Sequence, residues 1–317
     1  MYEVSEMHTF HLGGYPQKVL IEGRKKDLPI VIFLHGGPGS PIPFNAGCRG
    51  MFPEFTDQFL MVYWDQLGCG INNCELDENL KISHFVAMAA DLIVQVRKLF
   101  PGNPLFLFAV SWGSVLSAKL LEAGADVDGV VVCGQLTHDF LFNEPVKKAL
   151  EASRIPAAKL EQIQQIEPQL ITQEDLKLLT MSLQKYTDGY RNRKGKNPPV
   201  FPIIRGLLTS EDYRLRDVKA IVINGYTRND ALCISLFQEL LKTDLRPVLK
   251  EVRVPYCMIE GDTDIITTAE FAAALAETAG NSNLTCKIIK NAGHYPNTDT
   301  MEAALLALSA LKDHSAF

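Results

Sequence analysis

Residues 108–114, FAVSWGS, set a serine between an apolar run, PLFLF, and a helical pattern, VLSAKLLEAG. A strand that turns abruptly into a helix holds the residue at its apex in a strained backbone conformation, with its side chain above the sheet edge and small residues around it for clearance. Ala109 and Gly113 are those small neighbours of Ser111. A serine hydroxyl is a weak nucleophile until a histidine takes its proton, and the histidine needs a carboxylate to fix its tautomer. Both follow at the ends of later apolar runs: MIEGDTD offers Asp262 and Asp264, and IIKNAGHYP offers His294. Serine, acid and histidine in that order, each on a loop after a strand, fit acyl transfer. Residues 35–40, HGGPGS, add a glycine loop after an earlier strand. There backbone N–H groups can approach a developing oxyanion, with the N–H of Trp112 as second donor. Each residue also has a plainer role, Ser111 as a helix cap, Asp262 or Asp264 as the cap of a helix near Thr267, and His294 as a surface residue. The coincidence of all three in order favours the chemistry.

These loops need strands to deliver them. PIVIFL, FLMVYWD, PLFLFAV, VDGVVVCG, VPYCMIEG and LTCKIIKNAG read as buried strands, and EMHTFHLGGYPQKVLIEGR reads as a hairpin around its Gly-Gly-Tyr-Pro turn. Between 83 and 100, Phe85, Met88, Ala89, Leu92, Val96 and Leu99 keep helical spacing up to a Pro-Gly stop. Helical patterns also follow PLFLFAV and VPYCMIEG and close the chain from 301 to 311. Strands alternating with helices predict an α/β fold with a mostly parallel sheet flanked by helices. Residues 136–248 break the rhythm with helical patterns alone. They are expected to form a helical cap inserted between two strands, leaving 1–135 and 249–317 as the core domain. Within the cap, RNRKGKNPP reads as a solvated basic loop, and Glu144, Glu211 and Asp212 as solvent-facing carboxylates that could otherwise hold a substrate ammonium.

Composition narrows the function classes. The chain has 317 residues, 47% hydrophobic and 21% charged, with a net charge of −6. That acidity argues against a nucleic-acid partner, which would need a basic face. Neither a signal pattern nor a spanning run is present, so no membrane partner and a cytoplasmic location are expected. Seven scattered cysteines fit reduced thiols. His8 with His11, and Cys69 with Cys74, lack the further ligands a metal needs, so no metal and no cofactor are expected. Nothing in the sequence sets the oligomeric state.

HGGPG after a strand, DQLGCG at 65–70, SWGS at 111–114, GDTD and GH together resemble the α/β-hydrolase fold, and within it the proline iminopeptidase-like (prolyl aminopeptidase) serine peptidases. The resemblance spans nearly the whole chain outside the cap. It implies Ser111 as nucleophile, His294 as base, Asp264 as the acid with Asp262 as fallback, and Gly37 and Trp112 as oxyanion donors. Leu67 stands where the family has arginine, and Ala109 where it has glycine. The two tryptophans are Trp64 and Trp112, so the cap lacks the family's Trp-Glu stretch. The leading expectation is an aminopeptidase acting on short peptides. An esterase, amidase or lactonase acting on a small uncharged acyl compound comes second, and a non-catalytic ligand-binding protein third. A carboxylate cluster near Ser111 separates the first two, because a buried ammonium needs a counter-charge.

Overall fold

Short runs that are apolar at every position suit strands buried on both faces, and here they form the centre of one sheet. The computed structural model describes residues 2–39, 53–77, 79–138, 140–198, 200–209, 214–216, 218–219 and 230–314. Ser40, Glu211 and Asp212 lie outside the described residues, as does part of the basic loop's end and most of 210–229.

The eight strands are β1 (Val4–Leu12), β2 (Tyr15–Gly23), β3 (Ile30–Leu34), β4 (Leu60–Tyr63), β5 (Leu105–Val110), β6 (Gly129–Cys133), β7 (Tyr256–Gly261) and β8 (Leu284–Ile289). Their order across the sheet is β1-β2-β4-β3-β5-β6-β7-β8. The β1–β2 and β2–β4 pairs are antiparallel, and every pair from β4 to β8 is parallel. Gly13 and Gly14 close the hairpin at φ 58° and 85°, as a two-residue turn of the mirror-image kind requires.

Side chains alternate through the central strands. Leu105, Leu107 and Ala109 join a core with Ile32, Leu92, Val115 and Leu116, whereas Phe106 and Phe108 join Phe33, Phe55, Ala304 and Leu308 on the other face. The first core is roofed by α2 (Ile82–Leu99) and α3 (Trp112–Glu122), following the short α1 (Pro53–Thr56). On α2 the apolar stripe is Phe85, Met88, Ala89, Leu92, Ile93 and Val96. Leu99, expected in that stripe, is instead 42% exposed in the last turn.

Between β6 and β7 the described residues form helices and no strand: α4 (Glu144–Glu151), α5 (Ala157–Gln164), α6 (Gln173–Tyr186), α7 (Val200–Thr209), α8 (Asp230–Leu240) and α9 (Arg246–Lys250). Two helices complete the fold, α10 (Ala269–Thr278) after β7 and α11 (Thr298–His314) after β8, the latter packed on the Phe106–Phe108 face. No helix among the described residues is long and apolar enough to cross a membrane.

β3, β5, β7 and β8 thus all end on one edge, and the order 4-3-5 puts a topological switch point beside β5. Packing there is tight at Gly113, in the first turn of α3, where an added Cβ would overlap the Leu34 carbonyl. Gly113→Ala is therefore expected to lower the unfolding free energy by about 3 kcal/mol, measured by urea titration. A loss under about 0.5 kcal/mol would show that the helix can move away from β3 at little cost.

Candidate active site

Ser111 sits between β5 and α3 at φ 49°, ψ −114°, a conformation a side chain avoids unless its surroundings impose it. Two hydrogen bonds help impose it. The Ser111 N–H donates to the Cys133 carbonyl (2.9 Å), and the Ser114 N–H donates to the Ser111 carbonyl (2.7 Å). Gly36, on the loop after β3, runs alongside: a Cβ placed there would lie 3.5 Å from the Ser111 Cβ. Gly37 follows at φ 122°, accessible to glycine without strain. Trp112 opens α3, and N–H groups of a first helical turn have no acceptor within the helix. Gly37 and Trp112 are thus the residues next to Gly36 and Ser111 on the glycine loop and the serine turn.

The partner residues arrive from the parallel strands on the far side of β5. His294, after β8, accepts the Ser111 hydroxyl at Nε2 (2.8 Å) and donates from Nδ1 to Asp264 Oδ2 (2.8 Å). Asp264 and His294 are both buried. Asp264 Oδ1 also accepts the N–H groups of Ile266 (2.7 Å) and Thr267 (3.0 Å), which fix the carboxylate's plane. Asp262 does not reach the imidazole. It accepts the Ala292 N–H (3.3 Å) and pairs with Lys290 (3.6 Å), so it organises the loop instead. Gly134, at φ 72°, leaves room for the ring, since a Cβ there would stand 3.1 Å from His294 Cε1.

Groups that the sequence reading did not single out hold this arrangement. His35 is buried, donating from Nδ1 to the Gly36 carbonyl (2.8 Å) and accepting the Gln66 N–H at Nε2 (2.9 Å). The Gln66 side chain in turn accepts the Trp112 indole N–H (2.7 Å) and donates to the His35 carbonyl (3.2 Å). Gln66 thus ties the glycine loop to the serine turn, and its signal was present in DQLGCG. On the other flank, the His294 N–H donates to the Gly189 carbonyl (2.9 Å) and the Tyr295 N–H to that of Tyr190 (2.7 Å). The neighbouring basic loop is not simply solvated as expected. Asn192 is buried and donates to Thr263 Oγ1 (3.1 Å), while Arg193 and Lys196 find Asp188 and Asp299. Its backbone docks because glycine at 195 and 293 permits close approach, and only the charged ends stay in water.

Above Ser111 lies a cavity of about 380 Å³. Leu136, Phe140, Leu141, Leu176, Phe237 and Ile266 give it an apolar wall, with Gln173, Thr180 and Gln184 as neutral polar groups. Among the described lining residues there is no carboxylate, and Lys177, itself exposed, is the one side chain with a permanent charge. Glu144 faces solvent on α4, near Lys148.

A family model described as the alpha/beta hydrolase fold matches residues 29–299. A probable aminopeptidase, YbaC, of Bacillus subtilis (strain 168) is 29% identical over 127 residues, 39% of either chain. A proline iminopeptidase of Neisseria gonorrhoeae is 35% identical over 144 residues, 42% of either chain. The matched stretch thus spans about two fifths of these curated relatives. The crystal structure of a proline iminopeptidase-related protein from Thermus thermophilus aligns with 97% of this chain and 96% of its own, at TM-score 0.62 and 18% identity. That likeness is one of fold.

Two expectations follow from this geometry. Ser111→Gly relieves the backbone strain and should unfold at a free energy about 1 kcal/mol above that of Ser111→Ala, which keeps it. Equal stabilities would mean that the turn stores no strain. Burial also pushes His35 down to about 4. Its folded value lies below the unfolded value of about 6.5, so the unfolded chain binds more protons between the two. Stability from this group is complete above about 6.5, falls as pH drops, and levels off below about 4, for a total on the order of 3 kcal/mol. Urea titrations at several pH values should show this component in the wild type and not in His35→Gln.

Proposed function

Because the chain belongs to the α/β-hydrolase fold family, we propose that it is a serine hydrolase working through an acyl-enzyme on Ser111, with an apolar, uncharged acyl group as its preferred substrate part. The Ser111 oxygen attacks the substrate carbonyl while His294 Nε2 takes its proton, and Asp264 holds the imidazole by its Nδ1–H. The carbonyl oxygen becomes an anion received by the Gly37 and Trp112 N–H groups, each such donor being worth about 3 kcal/mol in the transition state. His294 then returns the proton to the leaving group as the acyl bond breaks. A water, deprotonated by the same nitrogen, releases the acid and regenerates Ser111.

The substrate preference rests on the cavity wall. An ammonium buried among Phe140, Leu176 and Phe237 would lose several kcal/mol of hydration, with no carboxylate among the described lining residues to offset it. An acyl chain gains about 0.8 kcal/mol for each methylene placed there. In this reading 136–248 is a cap whose helices α6 and α8, with the segment that precedes α4, supply that wall. The aminopeptidase reading stands second, supported by the names of the curated relatives that match two fifths of their length.

One set of assays tests both parts. Ser111→Ala should lower kcat by about four orders of magnitude or more, with Asp264→Asn costing far more than Asp262→Asn. Retention of a tenth of the activity in Ser111→Ala would end the nucleophile assignment. Nitrophenyl esters should gain kcat/KM with acyl length and show no basic limb. Faster cleavage of aminoacyl naphthylamides, with a basic limb near roughly 8 where an α-amino group loses its proton, would turn the choice to the aminopeptidase.

A further inference from the structure

Behind the acid lies a second buried carboxyl, Glu260, whose side chain is fully buried on β7. Its Oε1 accepts the Gln135 N–H (2.7 Å), and its Oε2 lies 3.0 Å from Thr267 Oγ1. The same hydroxyl oxygen is 2.6 Å from Asp264 Oδ2, the atom that also accepts the His294 Nδ1–H. Three oxygens in a row make two contacts at hydrogen-bond distance. Each contact needs one hydrogen. Thr267 supplies a single hydroxyl hydrogen, so the second must sit on a carboxyl.

The choice between the two carboxyls follows from their partners. Asp264 already accepts the N–H groups of Ile266 and Thr267 and of the His294 ring, all of which favour a carboxylate. Glu260 has one N–H donor and no exposure to water. We infer that Glu260 carries a proton at neutral pH and is a positioning residue for the triad: its O–H donates to Thr267, the Thr267 O–H is thereby committed to Asp264, and that bond sets how strongly Asp264 holds the His294 imidazole. The inference rests on the acyl-enzyme reading of Ser111.

Electrostatics points the same way. Burial, and then the neighbouring Asp264 charge, hold the Glu260 carboxyl well above the usual carboxylate range, against the opposing pull of Gln135 and Thr267. The other ionisable groups facing it are Cys133 on β6, Tyr256 on β7 and Cys286 on β8, each raised mainly by burial, Cys286 to about 12. All three stay neutral at pH 7. Asp264 and the imidazole are therefore the groups that can carry charge beside Glu260.

Glutamine reproduces what the protonated acid does, since its carbonyl can accept from Gln135 while its NH2 donates to Thr267. Valine at 267 and leucine at 260 cannot. With a neutral nitrophenyl ester, the acidic limb of kcat/KM should rise by about half a pH unit in Thr267→Val and in Glu260→Leu, because Asp264 loses or weakens one donor and becomes the stronger acceptor for the imidazole. Glu260→Gln should restore the limb that leucine displaces. A downward shift in Glu260→Gln would mean that a negative charge had been removed, and an unmoved limb in Thr267→Val would mean that the hydroxyl does not act on Asp264; either overturns the proposal.

An independent reading needs no turnover. In Ser111→Ala protein near pH 8, infrared spectroscopy should show the C=O band of a buried carboxylic acid, absent once Glu260→Gln is added. No such band would overturn the proposal with the Ser111 chemistry intact, whereas surviving turnover in Ser111→Ala would remove its premise.

Discussion

The site depends on one close approach, that of the first turn of α3 to the end of β3. Gly113 lies against the Leu34 carbonyl, so the helix starts beside the strand rather than above it. This contact forces the chain to reverse within one residue, and Ser111 takes the positive φ that results. On the same side, the glycine loop after β3 runs beside that residue at Gly36.

Polar groups fix that arrangement from inside an apolar core, and they do so in pairs of opposite electrostatic character. On the β3 side a neutral His35 joins Gln66 and Trp112, linking the glycine loop to the turn. On the β7 side Glu260, Thr267 and Asp264 form a row ending at His294. Both His35 and Glu260 are moved by burial away from the charged form. The consequences for stability have opposite signs. A histidine depressed in the fold weakens it as pH falls, whereas a carboxyl raised in the fold contributes most below its unfolded value and weakens the fold as pH rises toward its folded one.

The helical segment between β6 and β7 is bonded to the loops of the site. Residues 189 and 190 accept the backbone N–H groups of His294 and Tyr295, and Asn192 reaches Thr263 on the acid loop. The elements that line the cavity are thus joined to the loops carrying the histidine and the acid. Displacing this segment would alter the cavity wall and the support of the imidazole at once.

The strand runs, the alternation with helices, the hairpin at Gly13 and Gly14 and the positions of Ser111, Asp264 and His294 on loops were legible in the chain itself, because period-two and period-3.6 patterns and glycine punctuation are local signals. The family resemblance, borne by HGGPG and SWGS, was legible for the same reason. What local signals cannot carry is distance. Asp262 and Asp264 were both open from the residues alone, and only the loop's path, pinned at Ala292 and Ile266, brings one of them to the imidazole. Leu99 kept the helical period yet lies exposed, because a period marks a face and not what packs against it. The basic loop read as solvated, since charge is visible in a sequence and backbone docking through glycine is not. Glu260 read as one letter of a strand; its burial beside Thr267 and Asp264, and so its protonation, arises from the packing of β6, β7 and β8, which no single segment contains.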